Sequence, residues 1–343
     1  MKNYAVTIGI PVYNVEKYIR LAMDSALAQT FNDIEFLVID DSGTDSSIDI
    51  VREYQQTHPR GKDIRIVRQP QNGGLGRARN RIIDEAQGIY LYYLDGDDAI
   101  EPNTIELLYE KAKAFDADLV YGSYRRVFTE SGVVVNTVVY PYTYKEYSVP
   151  DDYARYAYEG KVQSMVWNFL VKIEVLRQNH LRFAPVGYGE DYTFTVDLPT
   201  YVNRVVLLPD ITYSYYVRDV NTRRWNRNVT RTLMDAYIKT IDEKKRRTYL
   251  KEKPYYARRC ATLLMYDFSF VKQILQRRNQ LIPRYTDREL RDVMWQPMTF
   301  WDILRSTDKR VKNLAAYILC KLPPSLAVFI IRMICGKIDK TNV

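Results

Sequence analysis

Four short apolar runs, each followed by a polar cluster and then by residues at helical spacing, constrain this chain more than any other feature. The runs are Val6–Ile10, Glu35–Ile39, Ile64–Val67 and Ile89–Leu94. Between the first two, Glu16–Gln29 carries Ile19, Ala22, Met23, Ala26 and Leu27 on one helical face. Ser46–Tyr54 reads as a second helix that opens among capping residues, and Gly76–Ala86 as a third. Strands alternating with helices predict a parallel sheet with crossover helices. Ligands of such sheets sit beyond the carboxyl ends of the strands. The clusters that close the runs should therefore converge: Pro11–Asn14, Asp40–Asp45, Gln71–Gly74 and Asp95–Asp98.

Beyond Pro102 the pattern predicts a helix over Thr104–Phe115 and a strand over Asp118–Tyr124. Residues 125–165 are Tyr- and Val-rich with weaker periodicity. Val166–Gln178 reads as a strand or turn leading into a helix, Gly187–Asp197 as a loop opening a helix, and Val205–Leu208 and Ile211–Arg218 as two strands. From about residue 230 the chain is helical and basic. Residues 1–200 hold 21 Lys+Arg against 29 Asp+Glu, and residues 201–343 hold 29 against 13, so a net charge of +8 hides halves of −8 and +16. The expected division is 1–222, with halves of about 1–100 and 101–222, followed by a helical basic region at 223–343.

Composition excludes several chemistries. His58 and His180 are too few and too far apart for a His-based zinc site or a serine-type triad. Cys260, Cys320 and Cys335 are odd in number and widely spaced, which points to a reduced compartment without a disulfide framework. No secretory leader is expected from MKNYAVTIGIPVYN, and no apolar run reaches the length of a membrane span. The 30 tyrosines favour surfaces that meet rings, sugars or a membrane interface.

Asp95, Asp97 and Asp98 place three carboxylates within four residues at a strand end. Carboxylates this close repel one another unless a cation sits among them. Oxygen ligands of this kind suit Mg²⁺ or Mn²⁺ carrying a diphosphate, while the same residues could also form a solvated turn capping the next helix. Asp41 has the same topological position, where it could accept the imide N–H of a pyrimidine base or cap the helix that follows. Tyr13 can stack on a base, or belong to a plain turn set by Pro11. Gly73-Gly74-Leu75-Gly76 is neither a P-loop nor a full GxGxxG fingerprint, since Arg79 takes the third glycine position.

Together these segments resemble the inverting family-2 glycosyltransferases of GT-A fold. The resemblance rests on Thr7–Asn14, on Phe36–Asp45, on Asn72–Gly76 with Ala78-Arg79-Asn80, on Leu94–Asp98 as a DXD motif, and on Gly189-Glu190-Asp191. Trp167-Asn168 and Tyr215-Tyr216-Val217-Arg218 recur in polysaccharide-building members. One departure is Ser42-Gly43, where the usual order is Gly-Ser. The resemblance covers about residues 4–220 and implies an α/β, Rossmann-like, mixed and mostly parallel sheet flanked by helices, with the basic helical region as an extension. It implies a metal-dependent transfer of a sugar from a nucleotide-sugar donor, a UDP-sugar, to a hydroxyl of a glycan or lipid-linked glycan, with inversion, in cell-surface polysaccharide synthesis. Pro11, Tyr13, Asn14, Asp41, Asn72, Arg79 and Asp95 would bind the donor. Asp97 and Asp95 would hold Mn²⁺ or Mg²⁺, and Asp191 would be the base with Glu190 beside it, unless that pair only favours a helix N-terminus. Trp167 would offer a stacking face to the acceptor, or could as easily be a core residue.

The alternatives are a non-catalytic nucleotide- or glycan-binding protein on the same fold and a nucleotidyltransferase. The intact carboxylate set disfavours the first, and the lack of a basic triphosphate cradle in the first domain disfavours the second. The basic region holds Arg223, Arg224, Arg227, Arg231, Lys244, Lys245, Arg246, Arg247, Arg258 and Arg259. Farther on, Val311–Ile338 alternates apolar stretches with single cations. An anionic membrane surface at the inner face of the cell membrane is the expected partner of a cytoplasmic protein with this pattern, and nucleic acid is not. A helical bundle with a solvated basic face is the competing reading.

Overall fold

The computed structural model describes residues 4–130, 133–140, 142–149, 151–186, 189–217 and 230–335. Arg218, Arg223, Arg224, Arg227, Lys337, the first residues of the Gly187–Asp197 loop and the expected boundary at 222 lie outside the described residues. The chain divides into two compact units. One comprises Met1–Tyr153 with Met165–Arg223, the other Ala154–Ser164 with Arg224–Val343.

The first unit opens with β1 (Tyr4–Val12), α1 (Ile19–Leu27), β2 (Ile34–Asp40), α2 (Ser47–Thr57), β3 (Ile64–Arg68), α3 (Leu75–Glu85) and β4 (Gly88–Tyr93). It continues through β5 (Ala99–Ile100), α4 (Thr104–Ala114), β6 (Leu119–Glu130), β7 (Val133–Tyr140) and β8 (Lys145–Tyr147). After α5 (Asp152–Ala157), most of which belongs to the second unit, come β9 (Phe169–Lys172), α6 (Ile173–Gln178), α7 (Glu190–Thr195) and β10 (Val205–Val217).

The sheet runs β3-β2-β1-β4-β9-β6-β10-β5, with β7 on β6 and β8 on β10. Pairing is parallel from β3 through β4 and again between β6 and β10, while β9 and β5 run antiparallel to their neighbours. Every residue of β1 and β2 is buried, as strands covered on both faces require. Gly9 makes one of those coverings possible. A Cβ there would stand 2.4 Å from Cγ2 of Ile82 on α3, so only glycine lets that helix pack this closely on β1. The five apolar residues expected on the face of α1 are its buried ones.

The fold is thus mixed α/β, as expected. One difference concerns Val205–Val217, which forms a single strand rather than two. Its register on β6 shifts between Leu207 and Ile211, so a bulge around Pro209 accommodates a residue that cannot donate to the ladder.

The second unit is helical: α8 (Arg231–Lys245), α9 (Tyr256–Gln276), α10 (Asp287–Val293), α11 (Phe300–Arg305), α12 (Arg310–Leu319) and α13 (Pro324–Ile334). Side chains of Thr286 with Glu289 and of Thr299 with Asp302 form reciprocal caps on α10 and α11. Its charge is less available than composition implies. Lys244, Lys245 and Arg259 are buried. The Lys245 ammonium pairs with Asp267 at 2.9 Å and Asp242 at 3.1 Å, and donates to the Val293 carbonyl at 2.8 Å. Arg258 pairs with Asp308 at 2.8 Å and with Glu159. Several of the cations expected to form a free basic surface are therefore internal ties. Among the described residues no helix is long and apolar enough to cross a membrane.

Candidate active site

The carboxyl ends of β1, β2 and β4 carry three clusters, all within the first unit. After β1, Tyr13 is 41% exposed and Asn14 adopts φ 51°. Pro11 is buried in the strand, opposite Ile39 of β2. The Asn14 side-chain oxygen accepts from the Thr44 amide at 2.8 Å, which ties this turn to the one after β2. The swapped Ser42-Gly43 pair has a local reason. Ser42 sits at φ 57°, a conformation glycine would hold more readily. Its amide donates to Asp40 at 2.9 Å and its hydroxyl to the Gln69 carbonyl at 2.8 Å. At Gly43, a Cβ would lie 2.9 Å from the Asn14 side-chain oxygen, so the second position needs the missing side chain.

The carboxylates of Asp40–Asp45 fasten the loops. Asp41 is buried and accepts from the Gly73 amide at 2.7 Å, the Gly74 amide at 2.9 Å and the Gln69 side chain. The glycine-rich turn thus offers its amides to Asp41, with Gly74 at φ 79°. Asn72 beside it is exposed. Asp45 accepts from Glu16 and Ser47, and no side chain of Ser46 caps α2.

The cluster after β4 is built around α3. Arg79 is 1% exposed, and its guanidinium meets Asp95 at 2.9 Å, Asp191, and Glu190 at 3.6 Å. Gly76 and Asn80 dock the same helix on the segment leading to α7. Asn80 exchanges two 2.9 Å hydrogen bonds with the backbone of Phe183, and a Cβ at Gly76 would stand 2.6 Å from the Ala184 carbonyl. The triplet Ala78-Arg79-Asn80 therefore joins the loop after β4 to the acidic pair at the start of α7. Removal from water pushes Asp191 up to about 7, with Glu190 and Asp95 adding to the effect and Arg79 opposing it.

The three carboxylates of Asp95–Asp98 have different surroundings. Asp98 is buried and accepts from the Tyr213 hydroxyl and the Tyr216 amide, each at 2.8 Å. Burial, with Asp97 and Asp95 nearby, raises its pKa well above the usual carboxylate range. Asp95 and Asp97 are partly exposed. Among the described residues no three acidic, His or Cys side chains form a closed metal cage. Two part-exposed carboxylates fit a cation that takes its remaining ligands from substrate phosphates and water.

The structure decides between the two readings of Trp167 in favour of the core. It is 3% exposed, its ring stacked with Tyr213 at 4.5 Å and Tyr215 at 5.3 Å, with Tyr124 edge-on. It belongs to the core beneath the acidic loop, because its faces already pack on aromatic neighbours. Asn168, buried at φ 67°, donates to the Gly122 and Ser123 carbonyls and accepts from Thr212, tying β6 to β10. Of the predicted residues, Arg79, Asp95, Glu190 and Asp191 meet directly. Asp41 and Asn14 belong to the neighbouring loop ties. The supporting roles of Tyr213, Asp98, Asn80 and Gly76 went unread. Only their place within the motifs hinted at them.

Residues 7–168 match the model of Glycosyl transferase family 2. Glycosyltransferase GlyA of Streptococcus pneumoniae is 30% identical over 242 residues, 69% of this chain and 34% of that protein. Putative glycosyltransferase EpsH of Bacillus subtilis is 30% identical over 220 residues, 63% of this chain and 62% of that one. The chain thus spans less than two thirds of the length of these relatives. Among solved structures, S. aureus TarS superposes with a TM-score of 0.60 at 19% identity, over 90% of this chain and 50% of TarS. TarS 1–349 in complex with UDP-GlcNAc superposes with a TM-score of 0.56 at 18% identity, over 92% of this chain and 90% of that one. The chain carries a glycosyl transferase family 2 domain with the GT-A fold.

Proposed function

We propose that this chain transfers a sugar from a UDP-sugar to a hydroxyl of a glycan or lipid-linked glycan, inverting the anomeric carbon, in cell-surface polysaccharide synthesis at the inner face of the membrane. The observation that carries the reading is the contact of one buried arginine, Arg79, with Asp95 on the donor side and Asp191 on the other. Inversion needs donor and base on opposite faces of one carbon, held by groups that do not drift. The domain match and the UDP-GlcNAc complex of the similar TarS fold support a sugar-nucleotide donor.

In this reading Tyr13 stacks on the base, with Pro11 and Asn14 setting its turn, and Asp41 lies at the base edge while holding the loop of Asn72. The acceptor oxygen forms its bond to C1 as the bond from C1 to the diphosphate oxygen breaks. The diphosphate leaves with the electron pair, and Asp191 takes the hydroxyl proton. Glu190, 3.6 Å from Arg79, supports the orientation of its neighbour. Asp97 and Asp95 would hold Mn²⁺ or Mg²⁺, which supplies Lewis-acid stabilisation of the leaving diphosphate.

The test is UDP release from a panel of UDP-sugars, with and without Mn²⁺. Asp191→Asn and Asp97→Asn should each lower turnover by roughly 10²–10⁴-fold in a folded protein, as expected for loss of a proton acceptor or a charge-stabilising group. Normal turnover by Asp191→Asn removes that residue from the base role. No release from any UDP-sugar overturns the donor assignment.

A further inference from the structure

The last three helices of the second unit present apolar side chains to solvent on faces that surface helices normally fill with polar residues. On α13, Ala327, Val328 and Ile331 are buried, and the helix packs on α10. Leu326, Phe329 and Met333, at helical spacing on the opposite face, are exposed, Met333 by 68%. On α12, Asn313, Ala316 and Leu319 are buried, while Val311 and Ile318 face outward, Val311 by 81%. On α11, Ile303 is buried and Trp301 is 65% exposed. Helices apolar on both faces have one face too many for a packed domain in water.

Charge identifies what covers the second face. From Lys309 to Cys335 there is no Asp or Glu, and five cations: Lys309, Arg310, Lys312, Lys321 and Arg332. The two preceding acids are engaged, Asp302 with Lys251 at 2.8 Å and Asp308 with Arg258 at 2.8 Å. A second copy of the chain would set like charges against each other, which disfavours self-association. A surface of anionic lipid takes apolar side chains into the acyl boundary and cations against the phosphates. Helices of 10 and 11 residues are too short to span a bilayer, so any docking on one would be in its plane.

We propose that the exposed apolar faces of α11, α12 and α13, with their flanking cations, dock on an anionic membrane surface. The inference deepens the membrane part of the proposed function and rests on that part alone. Flotation of the full chain is compared on vesicles of phosphatidylcholine and of phosphatidylcholine with phosphatidylglycerol. Binding should favour the anionic vesicles by roughly tenfold or more and weaken in high salt. The triple variant Trp301→Ser, Phe329→Ser, Met333→Ser should lose most of it, roughly tenfold, and Lys309→Glu with Lys312→Glu should lose the anionic preference. Circular dichroism checks that each variant is folded. Equal flotation of wild type and triple variant, no flotation on anionic vesicles, or a dimer in analytical ultracentrifugation that the triple variant dissolves would each overturn the proposal. UDP release is measured on the same preparations. Flotation without release leaves the membrane face standing and removes the donor assignment, and release without flotation does the reverse.

Discussion

Arg79 in the first unit and Lys245 in the second are both buried cations with carboxylate partners, and their difference separates a site from a structural tie. The partners of Arg79 arrive from the loop after β4 and from the first turn of α7 and remain partly open to water, with Asp95 and Asp191 about one-fifth exposed. Among the described residues, the Nε of Arg79 has no hydrogen-bond partner. In the proposed reading, such an arrangement holds charge where charge develops during transfer. The chief partner of Lys245 is Asp267, as buried as the lysine and further held by Gln296 at 3.1 Å. That cluster is closed by the Val293 carbonyl. A buried, satisfied pair specifies packing and does not face substrate.

The largest effect expected from breaking the comparison is at Arg79. Arg79→Leu leaves three acidic groups with no cation between them, so turnover should fall by roughly 10³-fold, with both the donor loop and the base displaced. Arg79→Lys keeps the charge but cannot fork between two loops and should recover only part of the loss. Steady-state UDP release checks both; wild-type rates in Arg79→Leu would make Arg79 a structural tie like Lys245.

Lys245→Leu should do the opposite. It strands Asp267 in the helical core and should cost about 3–5 kcal/mol of stability in urea unfolding, while the folded fraction keeps its turnover. If turnover per folded molecule fell with stability unchanged, the second unit's buried charge would belong to the chemistry.

The smallest effect is a pH dependence. With Asp191 pushed up to about 7, the base is protonated below that pH and cannot accept a proton. Turnover should rise from pH 6 to pH 8 with its midpoint near 7, approaching about a tenfold change per unit on the acid side. Asp267 carries a similar shift from burial yet touches no substrate, so Lys245→Leu should leave that midpoint in place. A midpoint below 5 would show a base that is not perturbed by its surroundings.

Much of the first unit was legible because its signals are local. An apolar run of five residues bounded by turn residues reads as a buried strand, and the face of α1 was named residue by residue. The acidic residues stood out because charge at a strand's carboxyl end is costly without a purpose. Roles that depend on distant partners were not legible. Trp167 reads equally as a stacking face or a core residue until Tyr213 and Tyr215, some 46 residues later in the chain, are seen to pack on it. Lys245 reads as a surface cation until Asp267, one helix away, is seen to bury with it. The break at Leu208–Asp210 reads as a turn, because a bulge and a turn use the same residues.

By itself the sequence determined the alternation of strands and helices, the placing of polar clusters at the strands' carboxyl ends, and the carboxylate character of the candidate site, since each follows from spacing and residue type along a short stretch. Only the tertiary structure decided which carboxylates meet at Arg79 and which hold loops. Asp98 turns inward to Tyr213, Asp41 to the Gly73 and Gly74 amides, and Asp95 and Asp191 meet across Arg79. The physical reason is that a carboxylate's role is set by the donors that reach it, and those donors lie 16 to 115 residues away in the chain.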